Sequence, residues 1–140
     1  MKLDLHQILP LIPQRYPFVM VDSADADSDS CVALLTVVNN NWFVEHGVLL
    51  EAGIIEHQAQ SVAVCLGLAE KGLSARISNI GYIAEIKNLM VTRLPKVGEC
   101  LCTTVNMTAA VDNVLLIDAE TCISEELIAT SHLKIFLFND

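Results

Sequence analysis

Between Asn39 and Leu68 the chain reads NNNWFVEHGVLLEAGIIEHQAQSVAVCLGL, and no other segment restricts the fold as much. From Ala52 onward apolar residues recur at helical spacing, at Ile55, Ala59, Val62, Ala63 and Leu66, with no proline among them. A helix over about 51–69 is predicted, roughly 28 Å long at about 1.5 Å per residue. It is apolar on nearly all sides, so it has to be buried. Glu56 and Gln60 share one face of it, one turn apart. A carboxylate in such a setting needs a reason.

The flanks supply strands to bury that helix. LDLHQILPLI is a short amphipathic N-terminal helix closed by Pro10 and Pro13. FVMVDSADA reads as a strand ending near Asp22, ADADSDS as a solvated turn, and CVALLTVV as a second strand that completes a hairpin. After the helix, Lys71-Gly72 is a stop signal. Four further strands follow: ISNIGYIAEIKNLMVTR, ECLCTTVNMTAAV, NVLLIDAETCI and LIATSHLKIFLF, with turns at PKVG, Asp112-Asn113 and Ser124-Glu125-Glu126. The order β-β-α-β-β-β-β describes one α+β domain over 1–140, an antiparallel sheet around one long helix. The sheet covers one side of the helix, so its other side faces a partner or a site.

The 140 residues carry 53% hydrophobic side chains and a net charge of −9. The mean hydropathy of +0.49 is high for a monomer and points to a buried subunit interface. The acidity argues against nucleic acid and anionic membranes as partners. Glu51, Glu56, His57 and Gln60 break up the best membrane-span candidate. MKLDLHQIL lacks the apolar centre of a signal peptide. The five cysteines show no metal-like clustering, so reduced thiols in a cytoplasmic protein are expected, with no metal and no cofactor.

Several segments taken together resemble the hotdog-fold 3-hydroxyacyl-acyl-carrier-protein dehydratases of the FabZ type. ILPLIPQRYPFVMVD is similar to that family's Leu-Pro-His-Arg-Tyr-Pro-Phe-x-x-Val-Asp, and NNNWFVEHG to its Phe-Phe-x-Gly-His stretch. IIEHQAQ is similar to Glu-Ala-x-Ala-Gln, IKNLMVTRLPKVGECL to Phe-x-Arg-x-Val-x-Pro-Gly-Asp-x-Leu, and LIATSHLKIFL to the closing strand. The resemblance spans the chain in order and implies a hotdog fold. It also implies a histidine and a glutamate acting together from different subunits, here His46 and Glu56. The stretch between them is shorter than the family's, and Gly53 is the remnant, out of register, of a segment that offers N–H groups to the thioester carbonyl. That shortening looks like the divergent hotdog proteins encoded with aryl-polyene and flexirubin-type pigment synthases, some of which are companion subunits.

Dehydration of a 3-hydroxyacyl thioester needs a base for the α-proton and an acid for the departing hydroxide. A neutral imidazole suits the first task, and a carboxyl in an apolar setting suits the second or orients the hydroxyl. Gln60 can fix the Glu56 carboxyl, and the helix N-terminus can stabilise a thioester oxygen. Val62, Ala63 and Leu66 fit either the wall of an acyl tunnel or plain core packing. His57, about 100° round the helix from Glu56, is read as structural or interfacial. His6 and His132 have no chemical neighbours in sequence, and Arg15 and Tyr16 orient the N-terminal segment.

The reading is a lyase acting on acyl-carrier-protein or coenzyme A thioesters, as a homodimer or a heterodimer with a related hotdog chain. Its alternatives are a non-catalytic companion subunit and an acyl thioesterase. Because acyl carrier proteins are acidic, docking requires Arg76, Lys87, Arg93 and Lys96 to form a basic rim.

Overall fold

The computed structural model describes residues 1–27, 30–73 and 82–136, with side chains for all of these except 69–73 and 82–84. In chain order the elements are β1 (Lys2–Leu3), α1 (Leu5–Ile8), a 3-10 turn (Leu9–Leu11), β2 (Ser23–Ala26), β3 (Cys31–Thr36), β4 (Val44–Glu45), β5 (Val48–Leu49), α2 (Glu51–Leu73), β6 (Tyr82–Val91), β7 (Cys100–Val111), β8 (Val114–Ile123) and β9 (Glu126–Phe136). The main sheet has the order β1-β2-β3-β7-β8-β9-β6, and β4-β5 is a separate hairpin. Every pairing is antiparallel. The expected α+β arrangement of one sheet against one long helix is what the chain forms.

Local chemistry explains most of these elements. Along β8, Leu115, Ile117, Ala119, Thr121 and Ile123 turn inward while Leu116 and Glu120 face out, the alternation of a half-buried strand. Asp112 and Ser124 take positive φ, 53° and 54°, in the tight turns that join β7 to β8 and β8 to β9. Asp4 and Gln7 form a reciprocal capping box on α1. Three apolar clusters line the helix: one around Ile54 with Met20, Leu35 and Leu101, one around Val64 with Ile8 and Ala33, and one around Val62 with Leu115 and Ile117.

The structure departs from expectation at four places. β2 begins at Ser23, whereas a strand ending near Asp22 was expected. Met20 and Val21 are fully buried, but the Met20 peptide bonds to side chains of α2 instead of a neighbouring strand. The short β1 and the β4-β5 hairpin add to the expected order, and α2 runs through Gly72 to Leu73. Residues 28–29 of the solvated turn, and 77–81 of the expected strand before β6, lie outside the described residues.

The fourth departure is covalent. Cys31 on β3 and Cys65 on α2 form a disulfide, with a Cα–Cα distance of 5.8 Å. Packing α2 over β3 brings these backbones within disulfide range, which their separation of 34 residues in sequence does not reveal. Cys100, Cys102 and Cys122 are free.

Candidate active site

Glu56 lies on the stripe of α2 that the sheet leaves partly or wholly uncovered, with Ala52, Ile55, Ala59, Ala63 and Leu66. Its Oε2 accepts a hydrogen bond from Gln60 Nε2 at 3.1 Å. Gln60 has no freedom to do otherwise. Its Oε1 accepts the Met20 N–H at 2.6 Å, and its Nε2 also donates to the Phe18 carbonyl at 2.8 Å. An N–H can only donate and a carbonyl can only accept, so the amide has one possible orientation. Among the described residues, no hydrogen bond reaches Glu56 Oε1. Beside this arrangement Phe18 meets Trp42 edge to face, with ring centroids 5.2 Å apart.

His46 is placed by a different device. His46 and Gly47 form the two-residue turn between β4 and β5, with φ of 53° and 80°. Positive φ at both positions is the hairpin geometry that matches strand twist. The imidazole is 91% exposed, and its nearest charge is Glu45, at 3.8 Å. The hairpin backbone, in contrast, is well tied: Leu49 N–H donates to Pro95 O at 2.7 Å and Val97 N–H to Gly47 O at 3.0 Å. The 95–98 turn is held in turn by Glu99, which accepts the Lys96 N–H and a two-pronged contact from Arg93. Those bonds, the Arg93 ones foremost, hold the Glu99 carboxyl down at about 2. Among the described residues, no hydrogen bond or ion pair joins His46 to Glu56 of the same chain.

Gly53 is buried against the hairpin. A Cβ there would come within 2.6 Å of Leu49 Cδ1 and 2.7 Å of Phe43 Cβ, so glycine is what lets β5 approach the helix start. Its N–H returns to Leu50 O at 2.9 Å, as the Ile54 N–H does at 3.2 Å. Ala63 is partly exposed and flanks the Val64 cluster, whereas Val62 is core. Arg15 caps the Ile12 and Gln14 carbonyls of its own segment. His132, which has no partner evident in sequence, stands opposite Asp118 on the outer sheet face, 2.5 Å away.

Three of the four cations expected to form a basic rim fall within the described residues. Arg93 is engaged by Glu99 and Glu126, Lys87 pairs with Glu85 on β6, and Lys96 pairs with Val48 of the His46 hairpin through an isolated bridge, in the turn that Arg93 supports through Glu99. Arg76 lies outside the described residues. Arg93 and Lys87 are thus paired with acids of their own chain. No described cluster of His, Cys, Asp or Glu is arranged to hold a metal ion, and no described helix is long and apolar enough to cross a membrane.

Sequence reasoning overlooked a buried polar layer between helix and sheet. His57, Gln58, Ser61, Thr103, Thr121 and Ser131 are each at most 2% exposed. The available signal was the set of hydroxyls at inward positions of β7, β8 and β9, facing His57, Gln58 and Ser61 on the inward side of α2. Burial drives the His57 imidazole down to about 4, with the Met20 carbonyl opposing part of that shift. The ring is neutral in the folded protein, while the unfolded chain takes up a proton near 6.5. The unfolded state therefore binds more protons as pH falls through 6.5 to about 4. Stability should be full above that window and drop by about 3 kcal/mol across it. Urea midpoints measured at intervals between pH 7.5 and 4 check this, and a His57→Gln chain should lack that component.

Residues 6–140 match the family profile described as ApeP-like, ApeP dehydratase. The 3-hydroxyacyl-acyl-carrier-protein dehydratase FabZ of Clostridioides difficile (strain 630) is 29% identical over 142 residues, covering 96% of this chain and 97% of its own. The FabZ of Xanthomonas oryzae pv. oryzae (strain PXO99A) is 27% identical over 143 residues, covering 94% and 90%. Among solved structures, a chain of the dehydratase heterocomplex ApeI:P from Xenorhabdus doucetiae superposes with a TM-score of 0.81 at 16% identity, over 95% of this chain and 91% of that one. A hypothetical thioesterase with coenzyme A from Streptococcus pneumoniae TIGR4 reaches 0.65 at 13% identity, over 83% and 84%.

Proposed function

The chain belongs to the ApeP-like dehydratase family and has the hotdog fold, and from that premise we propose that it dehydrates 3-hydroxyacyl thioesters at a site assembled from two chains. The observation that carries this reading is the Glu56 carboxyl. It sits on the face of α2 left open by its own sheet, and Gln60 locks one of its oxygens. His46 reaches away from its own fold and acts on the thioester bound by a neighbouring chain. There a neutral imidazole takes the α-proton, Glu56 delivers a proton to the 3-hydroxyl, the C–O bond breaks, and water leaves with the enoyl thioester. The thioester oxygen lies at the start of α2, where the N–H groups of Glu51 and Ala52 belong to the first helical turn and Gly53 keeps the approach narrow. Gln60 and Ala63 complete the substrate wall.

The substrate is delivered on acyl carrier protein or coenzyme A. The pairing of Arg93 and Lys87 with acids of their own chain favours the second or an associated subunit as the docking element. The cytoplasm is the setting assumed, and there the Cys31–Cys65 bond must resist thiol reductants. A second reading, a companion subunit in a heteromeric dehydratase, is favoured by the exposure of His46 within the single chain and by the heterocomplex nature of the ApeI:P relative.

Turnover of a crotonyl thioester separates the readings. Hydration by the purified chain supports the proposed lyase. Hydration only after a related hotdog chain is added supports the companion reading, and release of free thiol indicates a thioesterase.

A further inference from the structure

The Met20 peptide is gripped on both sides by α2. Its N–H goes to Gln60 Oε1, and its carbonyl accepts from His57 Nδ1 at 2.7 Å. Residues 18–20 belong to no strand, so this grip, with the bond from Gln60 to the Phe18 carbonyl, fixes the segment that in turn orients Gln60. A carbonyl can only accept, so His57 must carry its proton on Nδ1, and the Nε2 of a neutral ring is then an acceptor. Thr103 Oγ1, 2.8 Å from Nε2, must donate to it. With its proton used, Thr103 accepts from Thr121 Oγ1 at 2.6 Å. Thr121 in turn accepts from Gln58 Nε2 at 2.9 Å, and Gln58 Oε1 accepts from Ser131 Oγ at 2.6 Å. Each proton has one place. The bonds run one way, from Ser131 on β9 through Gln58 of the helix to Thr121 on β8 and Thr103 on β7, then back into the helix at His57 and out to Met20.

We propose that His57 is a positioning residue for Glu56, acting through Met20 and Gln60, with Thr103, Thr121, Gln58 and Ser131 fixing its tautomer. A fully buried imidazole touches no substrate, and its nitrogens are both committed. Its contribution is transmitted. With the Met20 carbonyl held, Gln60 offers its Nε2 to Glu56 Oε2 and leaves Oε1 as the oxygen that exchanges a proton. Chains of aligned hydrogen bonds polarise one another, which stiffens the set beyond any single contact. The motif Glu56-His57-Gln58-Ala59-Gln60 places both helix members of the chain beside the acid they serve. This assignment rests on the dehydratase reading for its kinetic consequence but not for its geometry.

Two variants split the two nitrogens. Asparagine at position 57 keeps a donor near the place of Nδ1, and glutamine keeps a polar group near the place of Nε2. His57→Asn should retain kcat within a few-fold, and His57→Gln should lose roughly tenfold to a hundredfold in kcat with KM little changed. Both should melt below the native protein by similar amounts, with rates referred to the folded fraction. A purely structural layer would cut stability in both and leave their kcat values equal; that equality overturns the proposal. Carbon-13 NMR titration of the Glu56 carboxyl gives a readout independent of turnover. It should shift in His57→Gln and stay native-like in His57→Asn, and an unmoved Glu56 resonance in His57→Gln also overturns the proposal. If the native protein turns nothing over yet the resonance moves, the dehydratase reading fails and the positioning assignment stands. Should His57→Gln not fold, Thr103→Val removes the donor to Nε2 from the far side and is expected to shift the same resonance.

Discussion

Glu56→Gln is expected to lower the rate of hydration of a crotonyl thioester at least 100-fold and to leave the melting temperature within a few degrees of the native value. The size follows from general acid–base catalysis, which supplies roughly 10²–10⁴ in rate. The sparing of the fold follows from the site. Glu56 is partly exposed and contributes one acceptor, Oε2, to the Gln60 amide. The carbonyl of a glutamine at position 56 offers the same acceptor, so Gln60 keeps its bonds to Met20 and Phe18. Only the proton-exchanging oxygen is lost. Initial rates and a circular-dichroism melt on the same preparation check both halves, and an unchanged rate removes Glu56 from the mechanism.

Reduction of the Cys31–Cys65 bond should lower the melting temperature by on the order of 10 °C. The bond spans 34 residues, and closing a loop of that size removes about 4 kcal/mol of unfolded-state freedom in the chain-entropy account. Spread over the unfolding entropy of a chain this long, that becomes a shift of this order. Calorimetry with and without a phosphine reductant measures it. Thiol titration of the denatured, unreduced protein should count three free cysteines, Cys100, Cys102 and Cys122. Five, or an unmoved transition, would remove the crosslink from the account of stability.

The parts of this architecture legible in the sequence are those written in local chemistry. Strand β8 alternates cleanly and is flanked by turns at residues that accept positive φ, Asp112 and Ser124, and α2 announces itself by spacing. The pairing of Gln60 with Glu56 follows from one turn of helix. What escaped is tertiary. Met20 and Val21 are as apolar as any strand, yet the Met20 N–H and carbonyl are claimed by Gln60 and His57, and β2 starts later than hydrophobicity suggests. The hairpin around His46-Gly47 has strands of two residues each, too short to leave a periodic signature. The crosslink depends on which strand lies beneath Cys65. Thr103, Thr121 and Ser131 look in sequence like lapses in an apolar pattern, because their partners, His57 and Gln58, are contributed by a helix dozens of residues away.

Exposure and looseness are different properties at His46. Its ring stands in water, but the turn beneath it is tied to Pro95 and Val97, and through Glu99 to the guanidinium of Arg93. An incoming surface therefore meets an imidazole whose backbone address is already settled, and little configurational entropy remains to be surrendered on contact.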